Sequence, residues 1–174
     1  MAEKSEKRKI IILRAAATIV TFAYLMWIFS NSLATAAISS AASGKVREAV
    51  QKCADFIAGE GKITVSEHFI RKAAHFSEFS LLGFLAYFTY FSYLFSKNKA
   101  VPICAFSAAA TTLFCGAADE CIQIFADGRG PSVFDAMIDF SGGICGVFVA
   151  LVVFFLVKTA KNHSKKAQNT PEKT

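Results

Sequence analysis

An all-α integral membrane protein, built as a four-helix bundle, is the fold class this chain predicts. Three observations lead there. Apolar residues make up 54% of the 174 residues, with 18 Phe and only 18% charged residues. Four stretches, at residues 10–30, 73–95, 101–125 and 133–157, reach the roughly 20 residues needed to cross a hydrocarbon core. Lys and Arg are distributed unevenly between the segments that join them. A chain of this length makes one compact domain, with no room for a large soluble one.

The first nine residues form a basic arm with Lys4, Lys7, Arg8 and Lys9. They look like the start of a secretory signal. The apolar run that follows is longer than the usual h-region of 7–15 residues, and no small-residue cleavage site ends it, so it is read as a retained helix. The longest connection spans residues 31–70. Within it Val46, Val50, Cys53 and Ile57 fall at helical spacing among charged neighbours. This predicts a short amphipathic helix over 43–58, started by Ser43 and ended by Gly59 and Gly61. Such a helix is either a lid over a charged site or a plain interfacial anchor. Ser66 is placed to cap the second long helix. In the turn at 128–132, Pro131 blocks continuation of the third helix. Ser132 caps the fourth, with Asp135 in the acidic position of a capping box. Residues 158–174 form a second lysine-rich tail, expected, like the first nine residues, to be mobile. The membrane domain proper is then 10–157.

Orientation follows from the short loops. Lys4, Lys7, Arg8, Lys9, Arg14, Lys97, Lys99, Lys158, Lys161, Lys165, Lys166 and Lys173 fall on one side, twelve of the 19 basic residues. The other seven, Lys45, Arg47, Lys52, Lys62, Arg71, Lys72 and Arg129, fall on the opposite side. Both termini are therefore expected in the cytoplasm. The net charge of +6 is accounted for by topology and by anionic lipid headgroups, and implies no nucleic-acid partner. The five cysteines lack metal-type CxxC spacing. Four of them, Cys104, Cys115, Cys121 and Cys145, lie in the apolar runs and read as small core residues.

The remaining charges carry the functional signal. Ionisable groups inside membrane helices cost roughly 2.5–3.5 kcal/mol each near the bilayer centre, so they pair and usually have a task. Arg71, Lys72, His75 and Glu78 open the second long helix; Asp119, Glu120 and Gln123 close the third; Asp135 and Asp139 open the fourth. All three clusters map to the same, non-cytoplasmic end. On each helix the i, i+3 and i+4 spacings put these groups on shared faces. The small-xxx-small pair Gly142 and Gly146 lets neighbouring helices approach closely, or provides a homodimer contact.

Two readings of this cluster stand. The charges neutralise one another and lock the helices together, or they bind a polar ligand or perform chemistry. Apolar replacement assembles helices at lower desolvation cost, which favours the second. His75 and Glu78 are the acid/base candidates. Arg71, Lys72 and Arg129, with Glu120, Gln123 and Asp135, are ligand-binding candidates, Arg129 being suited to bidentate phosphate or carboxylate contact. Asp119, Glu120, Asp135 and Asp139 supply oxygen donors of the kind a hard cation such as Mg²⁺ takes; otherwise no cofactor is expected. His75 and Glu78 spell HxxE, but the second histidine of an HxxEH zinc motif is absent, so that motif predicts no zinc.

Taken together, these motifs resemble the VanZ-like family of small bacterial membrane proteins. The resemblance rests on Phe29-Ser30-Asn31-Ser32, on residues 70–79 around His75, on residues 119–125, and on Gly128-Arg129 followed by 132–135 and 139–143. It covers about residues 10–157. Family members often have Asn where this chain has Asp139. The resemblance implies a multi-pass protein of the bacterial plasma membrane, acting near envelope lipids or cell-wall precursors, with a link to glycopeptide (teicoplanin) resistance through the protein that names the family. It supplies no reaction. The expected function is binding of anionic lipid headgroups or lipid-linked cell-wall precursors. A cell-envelope hydrolase or transferase is the alternative, and a small proton-coupled transporter the third.

Overall fold

The computed structural model describes residues 2–34, 36–94, 100–128 and 130–168. The predicted 96–99 connection, Arg129 and the end of the tail lie outside the described residues. Five helices make up the fold: α1 (Ala2–Ser32), α2 (Ala36–Ala58), α3 (Glu67–Leu94), α4 (Ala100–Gln123) and α5 (Val133–Gln168). The described residues contain no strand.

The helices outrun the apolar stretches that predict them. The arm at 2–9 and the tail to residue 168 are helical rather than irregular. The arm is rich in Lys and Glu and the tail in Lys with two Ala, all good helix formers. Lys7 pairs with Glu3 and Lys9 with Glu6 along one face. The amphipathic helix α2 begins seven residues before its predicted start. Ser43 is therefore not its cap; its hydroxyl donates back to the Ser39 carbonyl inside the helix. The predicted end holds: the Gly59 amide closes on the Asp55 carbonyl at 2.9 Å, and Gly59 has φ 95°. Gln51 then ties the following loop back to α2 by accepting from the Val65 amide and donating to the Ile63 carbonyl.

Ser66 caps α3 as expected, accepting from the Phe69 amide at 3.1 Å. Pro131 does not end α4. That helix stops at Gln123 and tightens into i→i+3 bonds at Ile124, Phe125 and Ala126 before Gly128 turns with φ 75°. Ser132 caps α5, accepting from the Asp135 amide at 3.3 Å. The reciprocal half of the expected capping box is missing, because Asp135 turns away to Lys72.

α3 is the hub, packing against each of the other four helices. It runs antiparallel to α1, as Arg14 donates to the Ser92 carbonyl and Asn31 to Glu78. It runs parallel to α5, as Lys72 meets Asp135 and Phe91 meets Phe154. Between α3 and α5 lies a glycine seam. A Cβ on Gly83, Gly142, Gly143 or Gly146 would overlap the Gly143 backbone, the Phe76 backbone, Thr112 or the Ser80 backbone respectively. The faces of Gly142 and Gly146 are thus filled by α3 of the same chain. Around the seam, Tyr87, Ala86, Cys104, Ala108, Val147 and Ala150 form one buried cluster; Ile28, Phe79 and Leu82 form another between α1 and α3.

Three helices, α1, α4 and α5, are long and apolar enough to cross a bilayer. α3 does not qualify on composition, since Glu67, Arg71, Lys72 and Glu78 crowd its first half. Large apolar side chains cover the outside, including Phe22, Phe106 and Phe148, each more than 60% exposed. A water-facing protein hides such groups; a lipid-facing one does not.

Candidate functional site

The three charged clusters do meet, at the end of the molecule where α3 and α5 begin and α4 ends. The glycine seam is what permits it. Gly116 on α4 adds to this effect, because a Cβ there would sit 3.2 Å from Asp139 Cβ. With α3, α4 and α5 drawn this close, Asp119 and Asp139 are fully buried, and Glu120 and Gln123 nearly so.

Each acid has a distinct environment. Asp119 accepts from the Ser32 hydroxyl at 2.6 Å and from the Gln123 side-chain amide at 3.0 Å. Glu120 accepts from the same Gln123 amide at 3.3 Å and from the Ser132 backbone amide at 2.6 Å. A carboxylate thereby sits at the N-terminus of α5, where the helix dipole favours it. Asp135 pairs with Lys72 at 2.5 Å, and the Lys72 ammonium also lies 4.5 Å from the Phe134 ring centroid. Glu78 faces α1 instead, accepting from Asn31 at 3.4 Å. Among the described residues, neither Asp139 oxygen has a hydrogen-bond partner. His75 Nδ1 lies 3.4 Å from Asp139 Oδ1 and 3.9 Å from Asp119 Oδ2.

The four acids expected to share a cation therefore separate. Glu120 and Asp135 are taken up by Ser132, Gln123 and Lys72, while Asp119 and Asp139 converge on His75. The reason is angular. Neighbouring residues on a helix point about 100° apart, so Asp119 reaches Ser32 and His75 while Glu120 reaches the start of α5, with Gln123 bonded to both. His75 and Glu78 are likewise separated: one reaches α4 and α5, the other α1.

Two cavities flank this arrangement, and Arg71 and His75 line both. The first lies between α3, α4 and α5 and holds about 20 Å³, bounded also by Lys72, Glu120, Gln123, Asp135 and Asp139. The second, about 280 Å³, lies beneath α2 and is bounded by Asn31, Ser39, Ser43 and Glu78 as well. Arg71 forms no ion pair among the described residues. All the predicted site residues except Arg129 are thus found at one end of the fold.

Two contributors escaped the sequence reading. Ser32 and Asn31 come from the end of α1, and each engages an acid on another helix. Their signal was the polar run Ser30-Asn31-Ser32 directly after an apolar stretch; it matched a family motif, but its own spacing assigned it no role.

No curated protein and no solved structure matches the chain. A family model, described as VanZ/LLP1, matches residues 16–156. That span begins within α1, ends within α5, and takes in every residue of the charged end described above. On that match the chain is a membrane protein and belongs to the VanZ/LLP1 family.

Proposed function

We propose that this protein binds an anionic lipid headgroup, or the phosphate of a lipid-linked cell-wall precursor, in the cavity beneath α2. One observation carries the reading: Arg71 is a half-buried guanidinium without a carboxylate partner among the described residues, and it borders both cavities. A guanidinium in that state suits bidentate contact with a phosphate. Lys72 is the weaker candidate, because Asp135 already neutralises it. Asn31, whose side-chain amide carries two N–H groups, borders the same cavity and suits phosphate and sugar oxygens.

The membrane arrangement follows from the same reasoning. α3 serves as the fourth span beside α1, α4 and α5, because it is surrounded by helices and directs Lys72, His75 and Glu78 into protein rather than lipid. The resulting four-helix bundle has both termini in the cytoplasm and the charged end outside. α2 lies in the outer interface with Phe56 and Ile57 toward the acyl chains. Membership of the VanZ/LLP1 family is consistent with a role in the bacterial envelope and with glycopeptide resistance.

Native mass spectrometry of the protein released from its own membrane tests the reading. Wild type is expected to retain phosphate-bearing lipid, and Arg71→Ala to lose at least nine-tenths of it. Arg71→Ala keeping the full lipid complement would refute it. The enzymatic alternative is supported by His75 and Glu78 both bordering the 280 Å³ cavity. It requires turnover of a lipid-linked headgroup by wild type and none by His75→Ala.

A further inference from the structure

We infer that His75, Asp119 and Asp139 form a binding site for a divalent first-row transition metal ion, of the Zn²⁺ or Mn²⁺ type. The three side chains come from three different helices, and one donor atom from each lies within 4.8 Å of the others. His75 Nδ1 is 3.4 Å from Asp139 Oδ1 and 3.9 Å from Asp119 Oδ2.

The key observation is Asp139. Its exposure is 0%, yet among the described residues neither carboxylate oxygen has a hydrogen-bond partner, and His75 Nδ1 has none either. Burying a carboxylate in that state is costly, and buried charges are ordinarily paired, hydrogen-bonded or bound to metal. His75 alone does not resolve the matter: the contact lies at ion-pair distance but lacks hydrogen-bond geometry. A cation held between the three donors satisfies His75 Nδ1 and one Asp139 oxygen together. It also offsets local charge, since Glu78, Asp119, Glu120, Asp135 and Asp139 face only Arg71 and Lys72 as fixed cations among the described residues at this end.

The geometry suits such an ion. Metal–ligand bonds of about 2.0–2.2 Å place neighbouring donors about 3.3 Å apart in a tetrahedral site. The His75–Asp139 separation of 3.4 Å is already close to that value, the His75–Asp119 separation of 3.9 Å is about 0.6 Å longer, and the two carboxylates lie within 4.8 Å of each other. Asp119 is held by Ser32 through Oδ1 and by Gln123 through Oδ2, and ligating carboxylates are usually hydrogen-bonded in turn. Three protein ligands leave one position open. His75 and Asp139 border the cavity of about 20 Å³ between α3, α4 and α5, which has room for about one water molecule. One imidazole nitrogen with two carboxylates selects a first-row transition ion over Mg²⁺ or Ca²⁺, which take oxygen. The absent second histidine of HxxEH therefore does not preclude zinc, because the fold brings the other donors from α4 and α5.

This inference stands apart from headgroup binding and is tested without added lipid. The full-length protein in detergent is stripped with EDTA, exposed to Zn²⁺ or to Mn²⁺ alone, desalted, and its metal content measured. Wild type is expected to retain about one equivalent of one of the two. Asp139→Asn and His75→Gln are each expected to retain less than a tenth of that. Wild type retaining no more of either ion than Asp139→Asn would overturn the site. Should the variants fail to fold, X-ray absorption of the loaded wild type decides: one imidazole with oxygen neighbours supports the site, whereas sulfur ligation or more than one imidazole overturns it.

Discussion

Replacing Gly146 with Ala should unlock α3 from α5. The new Cβ would stand 2.7 Å from the Ser80 carbonyl carbon and 3.0 Å from the Phe84 amide nitrogen, and closer still to the Ser80 carbonyl oxygen. All of these are backbone atoms, so no side chain can swing aside. Ordinary carbon contacts lie at about 3.5–4.0 Å, so the two helices must part by roughly 1 Å. A gap of that size forfeits about a quarter to a half of each contact along the seam. The affected contacts include Gly143 against Gly83 and the Phe91–Phe154 ring pair at 5.0 Å. Overpacking of a close-packed interior costs about 1–3 kcal/mol, and the upper end applies where backbone meets backbone. The parallel control is Gly44→Ala in α2, where an added Cβ has nothing within 4 Å. That change should stabilise by about 0.5–1 kcal/mol through lower unfolded-state entropy. Denaturant titration in micelles, followed by fluorescence of the single Trp27, measures both. Equal stability of Gly146→Ala and wild type would refute the close-contact argument, since the clash leaves no neutral outcome.

Ser32→Ala removes the 2.6 Å bond to buried Asp119 and should destabilise by about 1.5–3 kcal/mol, as hydrogen bonds to charged groups do; a loss under 0.5 kcal/mol in the same titration would show that α1 does not hold that acid. Topology is open to labelling at Cys53, which is exposed on α2. With the other four cysteines replaced by Ala, a membrane-impermeant maleimide should label Cys53 in intact cells; labelling only after lysis would reverse the proposed orientation.

Much of the fold was legible in the residues. Apolar length marked α1, α4 and α5, and the spacing of Val46, Val50, Cys53 and Ile57 marked α2. The Ser66 and Ser132 caps and the Gly59 stop were readable because capping is local: a hydroxyl meets an amide three residues on, and a left-handed φ suits glycine. Ends governed by propensity were harder. Ser43 resembles a cap, yet the Ala-rich stretch before it is itself a good helix former and carries α2 past it. The capping box at Ser132 failed for another reason: Asp135 found Lys72 on α3, and Glu120 on α4 took the Ser132 amide.

What the sequence determined by itself is the set of helices, their membrane character and the clustering of charge at one end. Those properties follow from composition and from the 3.6-residue period, which fixes neighbours along a single helix. Which acid meets which base was decided only by tertiary packing. The glycine seam sets how near α5 comes to α3, and Gly116 how near it comes to α4. That approach carries Asp139 to His75, hands Asp135 to Lys72, and brings Ser32 of α1 to Asp119. Rotation of one helix against the next depends on contacts between residues far apart in the chain, and no spacing within one helix encodes it.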